Sequence, residues 1–144
     1  DVRAVIRGLQ DGTLCVIATD HAPHTPEEKA DFETAPNGVV GLETSLAAGI
    51  TALVRPGYLS LMELLRCMST APAQLLGLKA GTLHTGAPAD LVLFDPEESW
   101  TVDPEKLHGK SRNTPFKGQT LYGRVKATIL AGKIVYMEEA PLCL

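Results

Sequence analysis

Residues Leu14-Cys15-Val16-Ile17-Ala18 run apolar without alternation and lead directly into Thr19-Asp20-His21-Ala22-Pro23-His24. A strand with one wet face alternates apolar and polar residues. An unbroken apolar run of this length suits a strand covered on both faces, as in a parallel sheet flanked by helices. The reading is therefore an α/β chain with a buried strand over residues 13–19. Asp20, His21 and His24 then fall at its C-terminal end, where α/β barrels keep their chemistry. A carboxylate desolvated there costs free energy unless it meets a metal or a proton-transfer partner. Asp20 is accordingly a candidate metal ligand or general base, the alternative being a turn or cap carboxylate that opens the next loop.

The flanking segments fit that reading. Val2, Val5, Ile6 and Leu9 mark one helical face, with Asp1 as N-cap and Gly12 as the stop, so helix, turn and strand follow as in a βα barrel. Residues 21–40 form a long irregular loop punctuated by Pro23, Pro26 and Pro36, a length that suits function more than mere connection. Leu42, Leu46, Ile50 and Leu53 predict a second helix ended by Pro56-Gly57. Ser60-Leu61-Met62-Glu63 has the capping-box pattern and opens a third, with Leu61, Leu64, Leu65 and Met68 facing inward. A short fourth helix starts at Thr70-Ala71-Pro72 and closes at Gly77.

After about Lys79 the texture becomes β-rich. Leu91-Val92-Leu93-Phe94 predicts a short strand broken by Asp95-Pro96. The alternation at Val125, Ala127 and Ile129, then Ala131-Gly132 and Lys133-Ile134-Val135-Tyr136, predicts a hairpin. Residues 1–78 are thus read as one unit and 79–144 as a second.

The net charge of −4 and the lack of a basic cluster argue against a nucleic-acid surface. No apolar run approaches the ~20 residues of a membrane span. Cys15, Cys67 and Cys143 show neither zinc-ribbon spacing nor a disulfide framework, which makes a reducing cytoplasm the expected setting. The chain opens at Asp1 without methionine, inside a helix, as a fragment or processed product would.

His21 and His24 form an HxxH pair on a proline-containing turn. This is neither the i, i+4 pair of a helical metalloprotease nor the alternating HxH of a strand. His24 is better suited to donating a charge-assisted hydrogen bond to an anionic group. Asn37-Gly38 closes the loop, where glycine permits close backbone approach and amides near a helix start attract carboxylates, although Asn-Gly is also a common turn. His84 and His108 stand among turn residues and are read as ordinary loop histidines.

Taken together, Ala18-Thr19-Asp20-His21-Ala22-Pro23-His24, Glu28-Lys29 and Ala35-Pro36-Asn37-Gly38-Val39-Val40-Gly41-Leu42-Glu43-Thr44 resemble the C-terminal part of a class I dihydroorotase of the amidohydrolase superfamily. Ser69-Thr70-Ala71-Pro72-Ala73, Gly86-Ala87-Pro88-Ala89-Asp90-Leu91-Val92, Asn113-Thr114-Pro115-Phe116, Gly123-Arg124-Val125 and Ala131-Gly132-Lys133 extend the resemblance over essentially the whole chain. It implies the C-terminal part of a (β/α)8 TIM-type barrel, plus the C-terminal strands of a small β-sandwich. The implied reaction is the reversible cyclisation of N-carbamoyl-L-aspartate to L-dihydroorotate in pyrimidine biosynthesis. Asp20 would ligate zinc and act as general base and acid, while His24, Asn37 and Gly38 would hold the substrate carboxylate. The family's other zinc ligands and its substrate-gripping arginine and asparagine lie upstream of the region represented here.

A last barrel strand without its neighbours would expose two unpaired edges. The chain is therefore expected to be a segment of a longer protein or to need a complementary chain, namely the rest of the barrel. A homodimer or an aspartate transcarbamoylase are further possible partners. Hydantoinases and allantoinases are the nearest enzymatic alternatives. A non-catalytic dihydroorotase-like scaffold subunit is the alternative from another class. An inert sandwich-type module would leave the Asp20–His24 constellation without a purpose.

Overall fold

A computed structural model describes residues 1–138; Cys143 and the end of the expected second unit lie outside the described residues. Helix α1 spans Val2–Asp11 and stops at Gly12, whose φ of 82° is the left-handed conformation glycine adopts without a Cβ penalty. Only Gly8 and Leu9 of α1 are buried. Leu9 packs with Leu59 and Cys67, against Ile17 and Leu53. Val2 and Val5, expected on the inward face, are 74% and 52% exposed. No described element lies over the first turn of α1, so its apolar stripe faces solvent there.

The buried strand expected over residues 13–19 does not form. The segment is extended but joins no ladder, and Leu14, Cys15, Ala18 and Asp20 are exposed. A strand exists through its neighbours, and no described segment runs alongside this one. Its anchor is the Ile17 N–H, which donates to the Cys67 carbonyl at 3.0 Å. One isolated parallel bridge, His21 to Val39, is all that the segment's end contributes to β structure. The described residues contain no closed barrel.

The second and third helices form over most of the predicted spacing, except that Leu42 lies before the first of them and is exposed, and they share a peculiarity. Helix α2 (Ser45–Gly49) widens into a π-helical turn over Ile50–Val54. Helix α3 (Leu61–Leu65) does the same over Arg66–Thr70 before α4 (Ala71–Leu75). Pro72 gives a physical reason for the second widening. It has no N–H to donate to the preceding turn, and its ring crowds the carbonyl four residues back. The capping box opening α3 is complete: the Ser60 hydroxyl accepts from the Glu63 N–H, and the Glu63 carboxylate accepts from the Ser60 N–H at 2.6 Å. Leu64, Cys67, Ala71 and Ala73 are buried along this stretch, while Leu61, Leu65 and Met68, also expected inward, are half-buried. Gly77, at φ 65°, ends it.

The β-rich half is a three-stranded antiparallel sheet of β1 (Leu91–Thr101), β2 (Thr120–Leu130) and β3 (Lys133–Met137), in that order. Strand β1 does not end at Asp95-Pro96 as expected. The pairing runs from Asp95 opposite Arg124 to Ser99 opposite Tyr122, so β1 carries extra residues there as a bulge. The Asp95 carboxylate accepts from the Glu97 and Glu98 N–H groups at 2.8 and 3.2 Å, replacing ladder bonds that the bulge breaks. Proline is tolerated at such a point. The β2–β3 hairpin turns through Ala131 and Gly132, at φ 49° and 77°. Positive φ at both central residues matches the strand twist.

Helix α2 seats on β2. Ala47, Val102 and Leu121 form the buried cluster between them, with Trp100 and Phe116 against it. The Tyr122 N–H donates to the Thr51 hydroxyl at 2.8 Å. The Arg55 guanidinium lies 3.5 Å over the Tyr122 ring and meets Glu97 at 3.3 Å. No helix among the described residues is long and apolar enough to cross a membrane.

Candidate functional site

The loop from His21 to Val40 folds back on itself, so its two ends lie side by side. The Ala22 N–H donates to the Val39 carbonyl at 2.9 Å. The Gly41 N–H donates to His21 Nδ1 at 3.1 Å, which leaves the proton of a neutral His21 ring on Nε2. Gly38 sits at φ 118°, and a Cβ there would collide with the Ala22 side chain. Glycine is therefore required for the two limbs to approach, and its neighbour is protein rather than open ligand space.

His24 lies inside this fold. Its Nε2 is 3.1 Å from the Asn37 carbonyl, and its Nδ1 is 3.4 Å from the Glu28 carboxylate. Both ring nitrogens face oxygen acceptors. A neutral ring protonated at Nε2 donates to Asn37 alone, whereas an imidazolium donates to both. Glu28 is itself fixed by the Thr25 N–H at 2.9 Å, and that bond holds its carboxyl below the usual glutamate range, with His24 and Lys29 adding to the effect. The Lys29 ammonium donates to the carbonyls of Pro36 and, at 3.0 Å, Gly38. Three of the expected residues, His24, Asn37 and Gly38, thus meet in one small constellation.

Asp20 stands at the entrance to the loop, four residues before His24. Its side chain is exposed, and among the described residues its carboxylate accepts no hydrogen bond. It is not buried at a strand end, because the strand itself is not formed. Its backbone is held at φ 45°, a left-handed conformation that Asp adopts more readily than most residues, though at a cost. That conformation marks where the extended chain changes direction into the loop.

Two groups that the sequence did not single out prove central. Asn113 reaches into the loop from a segment about ninety residues away, accepting from the His24 N–H at 3.3 Å and donating to the carbonyls of Ala22 and Gly38 at 3.0 and 3.2 Å. Glu43 gathers the His108 and Gly109 N–H groups at 2.9 and 3.0 Å and His108 Nδ1 at 3.0 Å. Burial pushes the Glu43 carboxyl up, but the His108 and Gly109 bonds together hold it below its ordinary value. His108 is therefore not an ordinary loop histidine; it is bound to Glu43 and packs edge-on to Tyr136, with ring centroids 5.4 Å apart. Neither the Asn113–His24 nor the Glu43–His108 contact is visible in one dimension, since each joins residues more than sixty positions apart. The motif segments containing Asn113 and Glu43 were the only sequence signals.

Beside the loop lies a cavity of about 190 Å³, bounded by His21, Val40, Glu43, Thr44, Leu107 and Ser111. Thr44 is 1% exposed and its hydroxyl has no hydrogen-bond partner among the described residues. For a metal, the donor set is insufficient. Among the described residues no three His, Cys, Asp or Glu side chains cluster as an ion would need. Asp20 offers a single carboxylate. The usual four-ligand zinc set is therefore not assembled by these residues alone.

Comparison with known proteins agrees with this architecture. The amidohydrolase family model matches residues 1–135, and the chain belongs to that family. Among individual relatives, it is 55% identical to a dihydroorotase of Clostridioides difficile (strain 630) over 133 residues, covering 92% of this chain and 31% of the relative. It is 51% identical over 139 residues to a dihydroorotase of Anaeromyxobacter sp. (strain K), covering 96% and 32%. Solved structures include a dihydropyrimidinase from Brevibacillus agri, with TM-score 0.87 and 29% identity over 96% of this chain and 32% of that one. An L-hydantoinase (dihydropyrimidinase) from Arthrobacter aurescens aligns with TM-score 0.86 and 33% identity, again over 96% and 32%. The chain spans about a third of the length of these relatives.

Proposed function

We propose that the intact protein is a dihydroorotase, interconverting N-carbamoyl-L-aspartate and L-dihydroorotate in pyrimidine biosynthesis in the cytoplasm. In this reading, residues 1–78 carry the last strand and helices of the (β/α)8 barrel, and 79–144 the C-terminal part of the β-sandwich. The observation that carries it is the joining of His24, Asn37 and Gly38 on one folded loop that begins at Asp20. A half-buried imidazole beside close-packed backbone suits a small anionic ring substrate. The exposed apolar face of α1 and the unpaired segment 13–19 are where the remainder of the barrel would dock.

The roles are those the resemblance implies, and the groups can perform them. The substrate carboxylate accepts the His24 Nε2–H hydrogen bond that now goes to the Asn37 carbonyl, while Glu28 keeps the ring oriented through Nδ1. Asp20, unpartnered and acceptor-only when ionised, receives a proton from the attacking water during ring opening. It returns that proton to the ring nitrogen as the amide bond breaks. Zinc, as the resemblance implies, would supply Lewis-acid polarisation of the amide carbonyl, with most of its ligands outside this chain. No step above depends on it.

Assay of the intact protein against dihydroorotate, hydantoin and allantoin tests the reading. Dihydroorotate is expected to be the preferred substrate. A preference for hydantoin, the ring named for the solved relatives, would replace the proposal with a hydantoinase. No turnover of any of the three would favour the scaffold subunit, with a second copy or an aspartate transcarbamoylase as its partner.

A further inference from the structure

We propose that Asn113 is a positioning residue for the anion-binding loop, fixing His24 and the Asn37-Gly38 backbone in register from the opposite half of the chain. The inference rests on the proposed role of His24 for its kinetic consequence, but its structural content stands on geometry alone. A carboxamide has one acceptor oxygen and two N–H donors. All three directions are used: Oδ1 accepts from the His24 N–H at 3.3 Å, and Nδ2 donates to the Ala22 carbonyl at 3.0 Å and the Gly38 carbonyl at 3.2 Å. The partners are one N–H and two carbonyls, which fixes the orientation of the amide.

These three partners bracket the loop. Ala22 and His24 belong to its outgoing limb and Gly38 to its returning limb, so one side chain spans both and adds to the direct bonds between them, Ala22 to Val39 and His24 to Asn37. The backbone of Asn113 adds a fourth tie, its carbonyl accepting from the Val40 N–H at 3.2 Å. The Lys29 ammonium binds the returning limb at Pro36 and Gly38, and its bond to Thr25 is made by the backbone N–H rather than the side chain. His24 and His21 join the limbs from within the loop, at Asn37 and Gly41, whereas Asn113 binds both limbs from outside it. It sits in the stretch between the 3-10 turn Pro104–Lys106 and β2, which Glu43 anchors at His108 and Gly109. The helical half holds the segment at Glu43, and the segment in turn holds the loop at Asn113.

Aspartate is nearly isosteric with asparagine but replaces both donors with an acceptor that faces two carbonyls. It therefore separates positioning from space-filling. In the intact protein, Asn113→Asp and Asn113→Ala are both expected to raise KM for dihydroorotate about tenfold with kcat within about threefold, because ground-state substrate anchoring is what loosens. Amide hydrogen exchange over residues 22–40 is expected to accelerate in both variants, with exchange over α3 and β2 unchanged. Normal KM and exchange in Asn113→Asp would overturn the proposal, since its donors would then be idle. Loss of kcat at unchanged KM would overturn it as well. If the unmodified protein does not open dihydroorotate, the proposed function fails by itself. The exchange comparison then decides Asn113, for or against, on its own.

Discussion

Gly123 packs against Ile50 and Ala47 of the helical half, and replacing it with alanine gives a quantitative test of how that half and the sheet are joined. The residue is buried on β2 at φ 100°, and a Cβ there would lie 2.5 Å from Ile50 Cδ1 and 3.6 Å from Ala47 Cα. Ile50 is 1% exposed and cannot swing away into solvent. Holding a non-glycine residue in that backbone region costs about 1–3 kcal/mol. Overpacking a closed interface costs about another 1–3 kcal/mol. The expected loss is therefore about 2–6 kcal/mol, a large part of the ~5–15 kcal/mol by which domains are stable. Gly118 provides the control: it has φ 74° but nothing within 4 Å of an added Cβ, so alanine there carries strain without collision. Urea unfolding of the intact protein, read at Trp100 by difference from a Trp100→Phe background, reports on the interface directly. The Trp100 indole N–H donates to the Gly123 carbonyl at 3.2 Å. Gly123→Ala should lose clearly more than Gly118→Ala, and Ile50→Val should recover part of the difference. Equal losses at the two glycines would refute the close-approach argument.

The Glu43 clamp predicts a pH dependence. Because its folded-state carboxyl lies below the ordinary value of 4.5, the clamp's contribution is fully present above that value and is lost as pH falls through the depressed one. Thermal melts of the protein and of Glu43→Gln should therefore converge below pH 4.5 and separate above it; parallel curves would show that the clamp is silent. His24→Ala is expected to raise KM for dihydroorotate by about ten- to a hundredfold, the value of a charge-assisted hydrogen bond, with a smaller effect on kcat. Steady-state kinetics decide this, and an unchanged KM would remove His24 from the binding site.

How far the sequence disclosed this molecule depends on whether the determining contact was local. The capping box at Ser60 and Glu63, the glycine stops at Gly12 and Gly77, and the Ala131-Gly132 hairpin all arise from neighbours a few residues apart, and all stand where expected. The segment 13–19 differs from its expectation for the opposite reason. Ile17 packs against Leu9, Leu59 and Cys67, but no described strand pairs with the segment, leaving extended chain without a ladder. Asp95-Pro96 ended β1 on propensity, whereas the Asp95 carboxylate caps the bulge and lets the strand continue. Within the candidate site, the contact of His24 with the Asn37-Gly38 turn arises from residues of one loop, while Asp20 stands exposed at the loop's entrance. Asn113 and the Glu43–His108 pair were not legible, since each acts across the fold on a partner the linear order does not announce. Composition carried no information about which ring the site accepts.

The steady-state rate of dihydroorotate ring opening by Asp20→Asn bears most directly on the function proposed here. Asparagine keeps the size of the side chain and removes its ability to hold a proton. The account predicts a fall in kcat of about 10²–10⁴-fold, the usual contribution of a positioned proton-transfer group, with KM little changed. Turnover in the variant within a few-fold of the unmodified protein would contradict it.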